Sequence, residues 1–79
     1  MVQTRQAVVL EEFDPGLAAH EIAILQWIAN GKDNVEIALL MNIERPQTVQ
    51  ARVQRIMERT GTASRSAAVA WAMRRGLIT

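Results

Sequence analysis

The chain contains no cysteine in its 79 residues, so disulfides and thiolate-held metals are both excluded. Long apolar runs are missing too. The longest, residues 67–73, stops at Arg74, far short of the ~20 residues that a membrane span requires. Near the N-terminus a short "AVVL" meets Glu11, Glu12 and Asp14, where a signal peptide would need a longer apolar stretch. These absences predict an intracellular, cytoplasmic protein with no membrane partner. Histidine is nearly absent as well: His20 stands alone, and "HEIAI" has Ile24 where a zinc-protease helix needs its second histidine. Ser64 and Ser66 have no base nearby in sequence, and no glycine-rich phosphate loop occurs. The expectation is a protein that is not an enzyme and needs neither metal nor cofactor.

What is present is charge, unevenly placed. Residues 1–44 hold Arg5 and Lys32 against seven acidic residues, a net −5. Residues 45–79 hold seven arginines against Glu58 alone, a net +6. Such a division points to a polyanion footprint on the second half, and a solvated arginine-rich face is the plainer alternative. Arginine rather than lysine favours bidentate contacts to phosphate or base edges over a diffuse cloud of charge.

Helical spacing organises most of the chain. Residues 1–16 carry no clear period and read as a short arm ending in the turn Asp14-Pro15-Gly16. Residues 17–79 read as one small domain, near the lower size limit for a single core. A first helix is expected over about 18–30, with Leu17, Ile24, Leu25 and Ile28 on one face and Gly31 ending it. Its start looks weak, because the Ala18 side chain offers no acceptor for a cap. Asp33 followed three residues on by Glu36 is a capping-box pattern for a second helix, with Ile37, Ala38 and Met41 turned inward. A turn at Asn42-Ile43-Glu44-Arg45 leads into a third helix over about 46–60. Pro46 suits its first position, Val49, Val53, Ile56 and Met57 are its buried face, and Gly61 is its end. Ser64 caps a fourth helix to about residue 75, in which Ala68, Val69 and Ala72 are apolar, and Gly76 ends it.

A helix pair joined by a short turn can lay its second helix in a DNA major groove. If Val49, Val53 and Ile56 face the core, then Gln47, Gln50, Ala51 and Gln54 face outward. Glutamine can pair with adenine and an alanine methyl can meet a thymine methyl. Arg45, Thr48, Arg52 and Arg55 flank that strip within reach of phosphates. An ordinary amphipathic helix with a polar outer face would show the same spacing.

The segments "LAAHE" (17–21), "ILQWIANGKDNVEIA" (24–38), "MNI" (41–43), "TVQARVQRIMERTG" (48–61) and "SRSAAVAWAMRRGLI" (64–78) together resemble the LuxR-type (GerE-like) helix-turn-helix DNA-binding domain, in order and spacing. The resemblance implies an all-α, four-helix fold behind a short N-terminal arm. It also implies a small transcription regulator that binds double-stranded DNA, expected to act as a homodimer. It places Thr48, Gln50 and Arg52 near DNA, with Arg52 and Arg55 standing where the family more often has His and Asn. In that family the fourth helix makes the dimer contact, which nominates Ala67, Ala70, Trp71 and Arg74, although Trp71 fits a core position equally well. Such domains usually follow a sensor domain, whereas this chain resembles the small members in which the domain stands alone.

The chain departs from that pattern at two places. Four residues rather than three separate Ile43 from Thr48, and Glu44 brings a negative charge where a Ser or Thr cap is usual. The second helix reads "NVEIALLM", so Val35 and Leu39, four apart on one face, join Leu40 and Ile22 at positions expected to be exposed. The arm, through Val8, Val9, Leu10 and Phe13, is expected to fold back over that surface. The alternative is a protein-interaction module, an antiactivator that binds a full-length LuxR-type regulator through the fourth helix or through Val35 and Leu39 and no longer reads DNA.

Overall fold

The computed structural model describes residues 16–79. Four helices follow one another: α1 (Ala19–Ala29), α2 (Asn34–Leu40), α3 (Pro46–Thr60) and α4 (Arg65–Arg74). The described residues form no strand, and the fold is all-α as expected. The arm at residues 1–15, and with it the expected cover over α2, lies outside the described residues.

Local chemistry sets each boundary. At α2 the Asp33 carboxylate accepts from the Glu36 N–H (2.9 Å) while Glu36 accepts from the Asp33 N–H (2.9 Å), so the capping box closes in both directions. Ser64 Oγ accepts from the Ala67 N–H at 3.0 Å and starts α4. Pro46 opens α3 after an extended Arg45 (φ −122°, ψ 131°), the conformation that a following proline favours. The start of α1 is firmer than its sequence suggested. Ala18 offers no side-chain acceptor, but the Glu21 carboxylate reaches back to the Ala18 N–H at 2.8 Å. One half of a capping box is therefore built without the other.

The helix ends share one device. After each helix comes a left-handed residue, Gly31, Asn42, Gly61 and Gly76 in turn. At α2 the Ile43 N–H donates to the Ala38 carbonyl (2.8 Å) and the Asn42 N–H to the Leu39 carbonyl (3.2 Å), the pair of bonds of a Schellman turn. Asn42 (φ +57°) is the one non-glycine of the four, and asparagine tolerates this region better than most residues. Asn42→Ala is expected to lower stability by about 1 kcal/mol and Asn42→Gly to preserve it, as read from thermal melts of the two variants.

Leu17, Ile24 and Leu25 of the first segment, Ile37 and Ala38 of α2, Val49, Val53 and Ile56 of α3, Ala68, Trp71 and Ala72 of α4, and Ile78 form the core. α3 packs against all three other helices, and α1 also packs on α4. Burying each of Ile24, Leu25, Ile37, Val49, Val53 and Ile56 contributes roughly 1.5–3 kcal/mol. Several inward expectations are softened: Ile28, Met41, Met57 and Val69 are half-buried at the margin of the core. Ile22, expected among the exposed apolar residues, is corrected in the other direction, since it packs against the core. Past Gly76 the chain folds back on α1. Ile78 is buried, and Gln26 and Thr79 exchange two hydrogen bonds, Gln26 Nε2 to the Thr79 carbonyl (2.8 Å) and the Thr79 N–H to Gln26 Oε1 (3.0 Å).

Candidate nucleic-acid interface

The core-facing residues of α3 fix which residues look outward. With Val49, Val53 and Ile56 at 0–1% exposure, Gln47, Gln50, Ala51, Gln54 and Arg55 fall on the solvent side, and Thr48 and Arg52 sit half-buried at its edge. Arg45, just ahead of the helix, is exposed. The eight residues expected to meet DNA are thus all on one end or one face of α3. The longer turn is held at both ends. Ile43 is half-buried against the core, Pro46 begins the helix, and the exposed Glu44 and Arg45 lie between them.

Beside this face runs an open groove of about 420 Å³ between the start of α1 and α3, lined by His20, Glu21, Thr48, Ala51, Arg52 and Arg55. Two of the six are arginines, and the one acid among them is already engaged. Glu21 is 4% exposed, and its Oε1 accepts from the Ala18 N–H and from Arg59 Nη1 at 3.1 Å.

The arginines divide into two groups. Arg59 binds Glu21 and donates to the Gly16 carbonyl at 2.7 Å, tying the start of the described chain to α3. Arg65 donates to Asn34 Oδ1 at 2.9 Å, and Arg75 lies over the Trp71 ring with 4.4 Å to its centroid, a cation–π contact. Among the described residues, Arg45, Arg52, Arg55 and Arg74 enter no ion pair or hydrogen bond of this kind. The first three belong to the outward end and face of α3. The division follows from geometry, since three arginines are spent holding the fold and the rest stay available to a polyanion.

Gln50 departs from a simple reading strip, because its Oε1 accepts from Asn34 Nδ2 of α2 at 3.0 Å. Asn34, Arg65 and His20 were not among the residues that spacing singled out. The first two are linked across 31 positions of chain, which a search within one helix cannot detect.

The remaining nominated residues sit as follows. Ala67 and Ala70 of α4 are half-buried and Arg74 is exposed. Trp71, which fitted either interface or core, is 9% exposed and belongs to the core, so it is withdrawn from the dimer surface. Met73 adds an exposed apolar side chain on the same helix that sequence reasoning passed over. Val35, Leu39 and Leu40 of α2 are exposed at 55%, 76% and 53%. Among the described residues no helix is long and apolar enough to cross a membrane.

A helix pair, α2 and α3, joined by a five-residue turn and backed by α4, with unengaged arginines around the outer face of its second member, defines a helix-turn-helix domain. Residues 15–72 match the profile of the bacterial regulatory proteins of the luxR family, and the chain belongs to that family as a transcription-regulator DNA-binding domain. This is a family of regulators, not of enzymes. Over 64 residues, 81% of the chain, it is 42% identical to a probable transcriptional regulatory protein NarL of Mycobacterium tuberculosis. Over the same length it is 33% identical to a putative HTH-type transcriptional regulator, y4qH, of Sinorhizobium fredii. The match spans 29% of the first relative and 19% of the second, so the chain corresponds to less than a third of either. No solved structure matches it significantly.

Proposed function

We propose that this chain regulates transcription by binding duplex DNA, with α3 in the major groove. The observation that carries the reading is the set of unengaged arginines, Arg45, Arg52 and Arg55, around an outward face bearing Gln47, Ala51 and Gln54. The arginines hold phosphates on either side of the groove, and Thr48 and His20 line the same hollow as Arg52 and Arg55. Gln47, Gln54 and the Ala51 methyl meet base edges. Two copies joined through Ala67, Ala70, Met73 and Arg74 of α4 would present their α3 helices to two half-sites one helical turn apart.

The test is anisotropy of a labelled random-sequence duplex titrated with the protein at two salt concentrations. Affinity is expected to fall with a log–log slope of roughly three per protomer, one for each arginine held on phosphate. No binding at low salt would refute the reading.

One observation favours a second role for α2. Val35, Leu39 and Leu40 leave an apolar surface open among the described residues, and such patches mark partner sites. In that reading the chain docks on a LuxR-type regulator and acts as an antiactivator. Leu39→Glu, at a position 76% exposed, is expected to keep the melting temperature within a few degrees while abolishing capture of such a regulator in a pull-down. A folded variant that still captures the regulator removes α2 from that role.

A further inference from the structure

The chain enters the described domain at the edge of the groove between α1 and α3. Arg59 Nη1 donates both to the Gly16 carbonyl (2.7 Å) and to Glu21 Oε1 (3.1 Å), and Glu21 lines that groove. One nitrogen thus ties Gly16 to the groove wall. Arg59 also ends a stripe. Thr48, Arg52, Arg55 and Arg59 recur every three or four residues, so they stand on one side of α3. Arg55 and Arg52 lie about 6 and 10 Å from Arg59 along the helix axis, at the helical rise per residue. Just ahead of Gly16 the sequence reads Glu11-Glu12-Phe13-Asp14-Pro15, with carboxylates at three of its first four positions. Asp14, Glu12 and Glu11 come two, four and five residues before Gly16, a reach of up to about 7, 14 and 17 Å. Those lengths are of the same order as the spacing of the arginines beyond the anchor.

We propose that the acidic segment 11–14 docks in this groove against Arg52 and Arg55 and competes with duplex phosphates for them. This rests on the DNA-binding reading above and deepens it, by naming what regulates the same face. Charge selects the occupant. Glu21, the one acid in the groove wall, is paired with Arg59, so Arg52 and Arg55 have no carboxylate partner among the described residues. Spacing agrees with charge. Asp14 precedes a proline, which favours extended backbone, and alternate residues of an extended chain lie about 7 Å apart on one side. Glu12 and Asp14 so placed come close to the roughly 5–6 Å between two residues three apart on a helix, as Arg52 and Arg55 are. Tethering supplies the strength that single exposed ion pairs lack. Each pair is weak by itself, but a link of a few residues holds the carboxylates at an effective concentration in the millimolar range. A duplex has to displace them whatever its sequence. The segment therefore lowers affinity for all duplexes alike and leaves the order of preference among them unchanged.

The experiment compares the full wild-type chain with a neutralised one carrying Glu11→Gln, Glu12→Gln and Asp14→Asn, and has two readouts. The first needs no DNA. In NMR spectra of the free chains, the Nε–H signals of Arg52 and Arg55 are expected to move on neutralisation, while those of Arg45 and Arg74 stay in place. Unmoved Arg52 and Arg55 signals overturn the docking, and so do shifts confined to Val35 and Leu39, which would put the arm on α2 instead. The second readout is anisotropy of a labelled random-sequence duplex. Neutralisation is expected to tighten binding roughly fivefold at low salt, which corresponds to a groove occupied about four-fifths of the time. The gain should shrink as salt is raised. Plain repulsion between the acids and DNA would also tighten binding, so the same comparison is made in an Arg52→Ala, Arg55→Ala background. Competition for those arginines predicts that the gain disappears there. A gain of equal size in both backgrounds, or none in either, overturns the competition. If neither the wild-type nor the neutralised chain binds duplex, the DNA-binding reading fails and the competition with it, while the arginine signals by themselves decide whether the segment sits in the groove.

Discussion

Arg52→Ala and Arg55→Ala are each expected to weaken duplex binding by about 1 kcal/mol near physiological salt and to reduce the salt slope by about 0.9, with the double variant losing close to twice both. The expectation rests on position and on availability. Both side chains line the groove between α1 and α3, and neither is committed to another group among the described residues. A general loss of positive charge would also weaken binding somewhat, so Arg75→Ala is the proper control. Its guanidinium is already stacked on Trp71, and its removal is expected to leave the slope unchanged. Equal slopes for the wild type and both α3 variants would remove Arg52 and Arg55 from the phosphates.

Arg59→Met is expected to cost about 2–3 kcal/mol of folding stability, the largest single effect outside the apolar core. The Glu21 carboxylate, 4% exposed, would keep the Ala18 N–H but lose its one cation. The bond from Arg59 to the Gly16 carbonyl would go as well. In a domain of this size each kcal/mol moves the melting temperature by about 4–8 °C, so a fall of ten degrees or more is the expected readout. Glu21→Gln removes the charge while keeping an acceptor for both partners and is expected to cost less. Adding Glu21→Gln to Arg59→Met should recover part of the loss, because the buried charge is then gone. A melting temperature unchanged in Arg59→Met would show that the pair contributes nothing to the fold.

These two predictions differ in how far the sequence alone could have led to them. The outward set on α3 was legible because Val49, Val53 and Ile56 recur at helical spacing and leave only one arrangement for the residues between them. The helix ends were legible for the same kind of reason: Asp33 with Glu36, Ser64, Pro46 and three glycines each act within four residues of their own position. The division of labour among the arginines was not. Whether Arg59 meets a phosphate or Glu21, 38 positions away, depends on how α1 packs against α3, and residue spacing within one helix is silent on that. Trp71 posed the same difficulty, since α4 carries apolar residues on more than one side and its pattern does not single out a core face. Ile22 was misplaced because α1 is apolar around much of its circumference, so the stripe that faces the core is wider than the residues chosen for it. Asn42 gave a readable turn signal but not its Schellman geometry, which needs the two carbonyls behind it.

The placing of the two tryptophans has an optical consequence. Trp71 is in the core under Arg75, and Trp27 of α1 packs against the same core. The sequence has no tyrosine, so ultraviolet-excited emission comes almost entirely from these two indoles. Unfolding moves both rings from an apolar surrounding into water and shifts their emission to the red. The chain thus reports the loss of its own fold through its own indoles, and a variant that fails to fold shows it in the colour of its emission without any added label.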